Sequence, residues 1–213
     1  MVYPELKKNY LLKHISDKFF TLGLLCIFSP LLLLIIIFIK AEGILFSEAR
    51  GPVFVSEPRI SKGKVFWLYK FRKAKKSVLD SLKNKKPGTY SHTQLQSNPD
   101  NLTYTGKILK QIYFDEFPQL FNVLKGDISL VGPRSHILQI YEQELKQGIA
   151  YAKIMPCGLT GLAAITKDLP QNKKKTDAEY FKKYSTYHPL KLLLYDMLIM
   201  IKTVQLVFRA RGR

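Results

Sequence analysis

From Phe19 to Ile39 the chain reads FFTLGLLCIFSPLLLLIIIFI, without a single charged residue. Wound into a helix, this run would reach about 30 Å, the thickness of a bilayer's hydrocarbon core. The segment therefore meets lipid, and any fold must accommodate that. A secretory signal peptide does not fit. The run is too long, carries Pro30 at its centre, and ends in Lys40 and Glu42 without a small-residue cleavage site.

Meeting lipid is not the same as crossing it. Pro30 removes one helical hydrogen bond and crowds the preceding turn, which predicts a bend near Ser29, whose hydroxyl can satisfy the freed carbonyl. Lys7, Lys8, Lys13 and Lys18 precede the run, and Lys40, Arg50, Arg59, Lys62 and Lys64 follow it. Both flanks thus favour the cytoplasmic side. A helix broken at Ser29 and Pro30 that dips into one leaflet and returns satisfies both flanks, whereas a straight span satisfies one. Re-entry is the expectation, although spanning helices also tolerate proline.

The remaining composition narrows the partners. The 213 residues hold 34 Lys and Arg against 16 Asp and Glu, a net charge of +18. Such an excess implies an anionic partner: nucleic acid, an anionic membrane surface or a phosphorylated substrate. Cys26 and Cys157 have neither disulfide-framework nor metal-site spacing, which fits a reducing, cytoplasm-facing location. His14, His92, His136 and His188 are scattered without ligand spacing. Residues 1–42 are expected to form a basic segment and membrane helix, and residues 43–213 a cytosolic catalytic domain with interfacial helices.

After the anchor, GPVFVSEPRISKGKVFWLYKFR reads as short strands or extended segments punctuated by Gly51, Pro52, Pro58 and Gly63. The polar stretch from Lys73 to Tyr104 predicts a long loop with about one helical turn. Helices are expected at GKILKQIYF, at HILQIYEQELKQ and twice in the tail. The last is apolar with basic ends and suits either a membrane interface or a core position.

The stretch FDEFPQLFNVLKGD carries two adjacent carboxylates, Asp115 and Glu116. Phe117, Leu120, Phe121 and Leu124 fall on one helical face, closed by Gly126 as a C-terminal cap. The plain reading makes Asp115 a helix cap, Glu116 a partner of the helix dipole and Pro118 a first-turn residue. The chemical reading notes Lys110, Lys125 and Arg134 nearby in sequence. A carboxylate can attack phosphorus, a divalent cation can screen the phosphate charge, and arginine can clamp its oxygens. Asp127 reads as a turn residue or a further metal carboxylate, the turn being favoured.

Taken in order, the SP within the apolar run, GPVFVSEPRISKGKVFWLYKFR, FDEFPQLFNVLKGDISLVGPRS and PCGLTGL resemble the bacterial sugar transferase family, the monotopic phosphoglycosyl transferases acting on polyprenol phosphate. The resemblance runs from about Lys13 to the C-terminus and suits the family's small members. It implies an α+β, mostly helical monotopic membrane protein with a re-entrant helix, short strands and interfacial amphipathic helices, on the cytoplasmic face of a bacterial inner membrane.

It also implies a two-step reaction. Asp115 attacks the sugar-bearing phosphate of a nucleotide diphosphate sugar, such as a UDP-sugar, and expels the nucleoside monophosphate; polyprenol phosphate, such as undecaprenyl phosphate, then takes the phosphosugar. Glu116 would assist, with Asp115 and Glu116 holding Mg²⁺, and Arg134, Lys110 and Arg72 would serve phosphate, although Arg72 equally suits lipid headgroups. The chain departs from the family pattern at Lys110, Ser135, Met155, Cys157 and TGLAAI, so no particular sugar is implied. A catalytically silent membrane scaffold for glycan assembly is the alternative, resting on that altered PCGLTGLAAI region. Nucleic-acid binding is disfavoured by the apolar run and by the lack of a recognisable binding module. The oligomeric state is left open by the sequence.

Overall fold

The computed structural model describes residues 7–83, 98–166 and 173–210. The architecture is α+β and mostly helical, with short strands and one long apolar N-terminal helix, α1 (Lys7–Leu45). Residues 7–45 form one helix with Pro30 inside it, and the boundary expected at residue 42 falls within its last turns. Proline leaves the carbonyl four residues back without its N–H partner. That carbonyl belongs to Cys26, and the Ser29 hydroxyl donates to it at 2.9 Å. The serine thereby repairs the gap locally.

One side of α1 packs along the rest of the protein, and the other sides stay apolar and exposed, as at Leu22, Leu33, Ile37 and Phe38. The packed seam is anchored at both ends by polar contacts. Near the start, the Lys13 ammonium meets Asp196 at 2.6 Å and Asp17 at 3.8 Å, while the Ser129 hydroxyl donates to Asp17 at 2.5 Å. Near the end, the Glu42 carboxylate accepts the backbone N–H groups of Tyr104 (2.6 Å) and Thr105 (3.2 Å). Both ends of the apolar run are therefore held by the same folded body.

Strands β1 (Phe54–Ser61) and β2 (Lys64–Phe71) form an antiparallel hairpin, with Ser61 opposite Lys64 and Phe54 opposite Phe71. Its two-residue turn, Lys62 and Gly63, has φ of 51° and 69°, the left-handed pair that matches strand twist. The period of two turns Phe66, Leu68 and Lys70 inward and Val65 and Trp67 outward. Helix α2 (Lys76–Lys83) follows, so the stretch expected to be mostly loop holds two helical turns near its start; residues 84–97 of it lie outside the described residues.

Beyond a 3₁₀ turn at Pro99–Asn101 come α3 (Tyr104–Ile112), a second 3₁₀ turn at Phe114–Glu116, and α4 (Gln119–Lys125). Gly126 closes α4 with φ 80°, as its position in the sequence predicts. The buried face of α4 is rotated from the expected stripe: Leu120 is buried but Phe121 is exposed, and Asn122 and Val123 face inward. Strand β3 (Ser129–Val131), helices α5 (Leu138–Lys146) and α6 (Tyr151–Ile154), strand β4 (Gly158–Thr160), and helices α7 (Leu162–Ile165), α8 (Lys173–Thr186) and α9 (Pro189–Ala210) complete the order.

The sequence reading did not foresee that β3 and β4 pair in parallel, Ser129 opposite Gly158 and Val131 opposite Thr160. Three residues each are too few for a periodic signal. The approach is close enough that a Cβ on Gly158 would lie 2.1 Å from the Gly132 nitrogen. The last helix has two different faces. Leu192, Asp196 and Ile199 are buried in the main core, and Leu190, Leu194, Leu198 and Ile201 form an exposed apolar stripe. A second, smaller core joins α1 through Ile35 and Ile39 to Val53, Phe71 and Leu109.

Candidate active site

The acid pair is reached through α3. Its N-terminus is capped twice, by the Thr103 hydroxyl oxygen accepting from Gly106 N–H at 3.0 Å and by Glu42 from the end of α1. Its C-terminus turns at Tyr113, a bulky residue in the left-handed region with φ 59° and ψ 22°. That conformation costs about 1–2 kcal/mol in an L-residue. The turn swings the following 3₁₀ segment so that Asp115 is only 4% exposed, while the Glu116 side chain remains 44% exposed.

Capping is not what Asp115 does. Neither the 3₁₀ turn nor α4 has a side-chain cap, and the Asp115 Oδ2 accepts instead from the Lys73 ammonium. Lys73 lies just beyond β2 and is 8% exposed. Glu116 Oε1 stands 3.4 Å from Lys70 Nζ, which is also 3.1 Å from Glu57 Oε1; Arg59 closes the chain on that same oxygen at 2.8 Å. Two carboxylates thus face two lysines, and a buried glutamate fixes the second lysine.

The electrostatics divide the pair. Burial pushes the Asp115 carboxyl up, Lys73 opposes that and neighbouring Glu116 adds to it, and the balance stays above the ordinary aspartate range. Burial alone would also raise Glu57, but Lys70 and Arg59 outweigh it and hold that carboxyl at about 2. Glu57 is therefore a fixed anion. For Lys70 the carboxylates Glu116 and Glu57 overcome the opposing effect of burial and raise the ammonium's pKa.

Apolar walls flank the acids. Phe114 and Phe117 stack with centroids 4.9 Å apart, and Phe28 of α1 meets both edge-on at 5.8 and 5.2 Å. Behind the pair, α4 is clamped to β2 by Asn122, which is 0% exposed. Its Oδ1 accepts from Tyr69 N–H at 3.0 Å, and its Nδ2 donates to Trp67 O at 2.8 Å and Asp127 Oδ2 at 2.9 Å. Asp127 is accordingly a turn residue tied to its own helix.

The other sequence candidates fare differently. Arg72 is a correction: at 1% exposure it cannot meet a headgroup or a substrate phosphate, because its Nε donates to Pro52 O at 2.8 Å and its Nη1 to Ala74 O at 3.2 Å. Its fork braces backbone. Arg134 is exposed on the loop after β3 and forms no ion pair with either acid among the described residues. Lys110 is half-buried in the last turn of α3. Met155 and Cys157 lie in the main core, while the rest of the altered PCGLTGLAAI region, the one sequence ground for a silent scaffold, is largely half-buried, with Ala164 exposed.

Lys73, Lys70, Glu57 and Asn122 were missed. Lys70 did carry a signal: it occupies the inward register of β2 after Phe66 and Leu68, where an unpaired lysine would be costly. Lys73 had none, since its partner lies 42 residues away.

As for magnesium, two carboxylates do not make a protein cage. Among the described residues there is no group of three or more histidine, cysteine, aspartate or glutamate side chains that could hold a metal. Mg²⁺ nevertheless needs only one or two carboxylates when substrate phosphates complete its shell, and the half-exposed Glu116 fits that demand.

Comparison with known proteins bears on the chain as a whole. The model of the family described as bacterial sugar transferase matches residues 8–210. The chain is 32% identical over 198 residues to the exopolysaccharide production protein ExoY of Rhizobium meliloti (strain 1021), covering 88% of this chain and 81% of that protein. It is 31% identical over 205 residues to the UDP-glucose:undecaprenyl-phosphate glucose-1-phosphate transferase of Caulobacter vibrioides, covering 90% and 70%. Other relatives are longer: the chain spans 42% of the undecaprenyl-phosphate galactose phosphotransferase of Salmonella typhimurium, at 29% identity over 97% of its own length. It spans 38% of an uncharacterized sugar transferase of Haemophilus influenzae. With its acid pair at the end of α3, against the long apolar helix, this chain belongs to the bacterial sugar transferase family.

Proposed function

We propose that this protein is a phosphoglycosyl transferase that moves a phosphosugar from a nucleotide diphosphate sugar, a UDP-sugar being favoured, to undecaprenyl phosphate or a related polyprenol phosphate. The observation that carries the reading is the Asp115 carboxylate, buried at the end of α3 with one oxygen on Lys73 and apolar rings against α1 on either side. A nucleophile for an amphipathic acceptor belongs at such a boundary between lipid and water.

In the first step an Asp115 oxygen attacks the sugar-bearing phosphorus, and the bond from that phosphorus to the bridging oxygen breaks, releasing the nucleoside monophosphate. In the second, an acceptor phosphate oxygen attacks the aspartyl phosphosugar and the aspartate leaves. No base is required when the carboxylate attacks as the anion, the form that the Lys73 ammonium favours. Lys73 and Lys70 supply positive charge where phosphate oxygens must approach two acids. Glu116, with its exposed oxygens, would hold Mg²⁺, whose charge screens the diphosphate. Arg134 and Lys110 remain the basic side chains for the donor's outer phosphate oxygens.

Both ends of α1 are held by one folded body. That supports re-entry rather than crossing, and a site at the cytoplasmic face of the bacterial inner membrane, where nucleotide sugars are available. The test is direct: the detergent-purified protein with Mg²⁺ and a panel of nucleotide sugars, without acceptor, should gain one phosphosugar by intact mass, and Asp115→Asn should gain none while still folding and binding membranes. Wild-type turnover by Asp115→Asn would refute the assignment.

A further inference from the structure

The two oxygens of Asp115 are not equivalent. Oδ2 accepts from the Lys73 ammonium, and Oδ1 accepts no hydrogen bond among the described residues. We propose that Lys73 is a catalytic residue of this site: it holds Oδ2 so that Oδ1 attacks phosphorus, and it keeps that contact through the aspartyl phosphosugar, stabilising the carboxylate that leaves in the second step. This rests on the reading of Asp115 as the nucleophile.

Lys73 is fixed from several sides. Arg72 donates to the carbonyl of Pro52, on the segment that leads into β1, and to that of Ala74, the residue after Lys73. The Lys73 carbonyl accepts the Thr103 N–H at 2.9 Å, and Ala74 bridges to Leu102. Against the same backbone lies Gly106 of α3, where an added Cβ would fall 2.2 Å from the Lys73 carbonyl oxygen. A glycine at this position lets the strand end carrying the lysine touch the helix leading to the acid. The ammonium is thus preorganised relative to Asp115 by backbone contacts and does not depend on a flexible reach from the surface. Lys70 performs a different task, since it stands between Glu57 and Glu116.

The chemistry uses the ammonium without spending its proton. When an Oδ1 lone pair forms the bond to phosphorus, the bond to the bridging oxygen breaks and its electrons leave with the nucleoside monophosphate. Oδ2 becomes the carbonyl oxygen of an acyl phosphate and still accepts from Lys73. When an acceptor phosphate oxygen then bonds to phosphorus, the Oδ1–P bond breaks and its electrons return to the carboxylate. Charge reappears on the group Lys73 touches, so the contact strengthens as the leaving group departs.

The experiment uses the full chain in detergent with Mg²⁺ and the panel of nucleotide sugars. It compares wild type, Lys73→Gln and Lys73→Arg for the rate of phosphosugar adduct formation and for decay of that adduct on adding polyprenol phosphate. Lys73→Gln should slow both half-reactions by about 100-fold, the usual scale for removing one charge-stabilising donor. Lys73→Arg keeps the charge and should form and discharge the adduct faster than Lys73→Gln. If Lys73→Gln does not fold, the arginine variant decides: a lost adduct in a folded Lys73→Arg protein overturns the proposal. Adduct formation and decay by folded Lys73→Gln at the wild-type rates overturn the role of Lys73 alone. Absence of any adduct on wild-type Asp115 overturns the nucleophile reading and this one with it.

Discussion

Asn122→Ala should destabilise the protein more than any loss of side-chain volume explains. The asparagine is fully buried and makes three hydrogen bonds, at 3.0, 2.8 and 2.9 Å, two to the β2 backbone and one to a carboxylate. Alanine removes all three and leaves Tyr69 N–H and Trp67 C=O facing a space too small to rehydrate both. A neutral bond contributes about 0.5–1.5 kcal/mol and one to a charged group about 1.5–3, so the total loss is roughly 3–5 kcal/mol. For a chain of this size, about 4 kcal/mol lowers the melting midpoint by roughly 8–16 °C. The assay is a thermal melt in detergent beside an Asn122→Asp melt. Aspartate keeps the acceptor for Tyr69 but loses both donors and sets a second carboxylate against Asp127, so it should be no better than alanine. A midpoint within about 2 °C of wild type for the alanine variant, which corresponds to under about 1 kcal/mol, would refute the claim that this clamp fastens α4 to the hairpin.

Other perturbations probe other joints. Glu57 has a folded-state pKa depressed to about 2, so its contribution to stability is full above its ordinary value near 4.5 and disappears as pH falls through about 2; Glu57→Gln should flatten acid unfolding across that window, and an unchanged acid transition would count against the Lys70 and Arg59 pairing. Lys13→Met leaves Asp17 and Asp196 buried without their shared cation and should cost about 3–5 kcal/mol in a melt, with partial recovery in Lys13→Met/Asp196→Leu; a single variant as stable as wild type contradicts the lock. Cysteines introduced before Lys13 and after Glu42 in a Cys26→Ser background should react with an impermeant reagent from the same side of the membrane, and labelling from opposite sides would eliminate re-entry.

Much of this was legible in the chain because it rests on local physics. Twenty-one residues without charge declare a lipid-facing helix, the β-branched and aromatic runs after Gly51 declare strands though not their pairing, and Gly126 declares where α4 ends. Asp115 and Glu116 stood out because adjacent acids are conspicuous in so basic a sequence. What could not be read is what burial decides. Arg72 and Lys73 are neighbours of identical charge, yet one braces backbone carbonyls and the other reaches the acid. No propensity separates them, because the difference arises only when the end of β2 docks on α3. The short parallel pair β3 and β4 and the rotated face of α4 escaped for the same reason.

The ring of Phe28 sits one residue before the serine that mends the proline gap and leans on both aromatics bracketing the acids. Excising the first 45 residues to obtain a soluble enzyme would therefore strip Phe114 and Phe117 bare and leave α3 without the glutamate at its head. In this molecule the mooring is also a wall of the candidate site. A water-soluble version has to replace that wall and cannot be made by truncation alone.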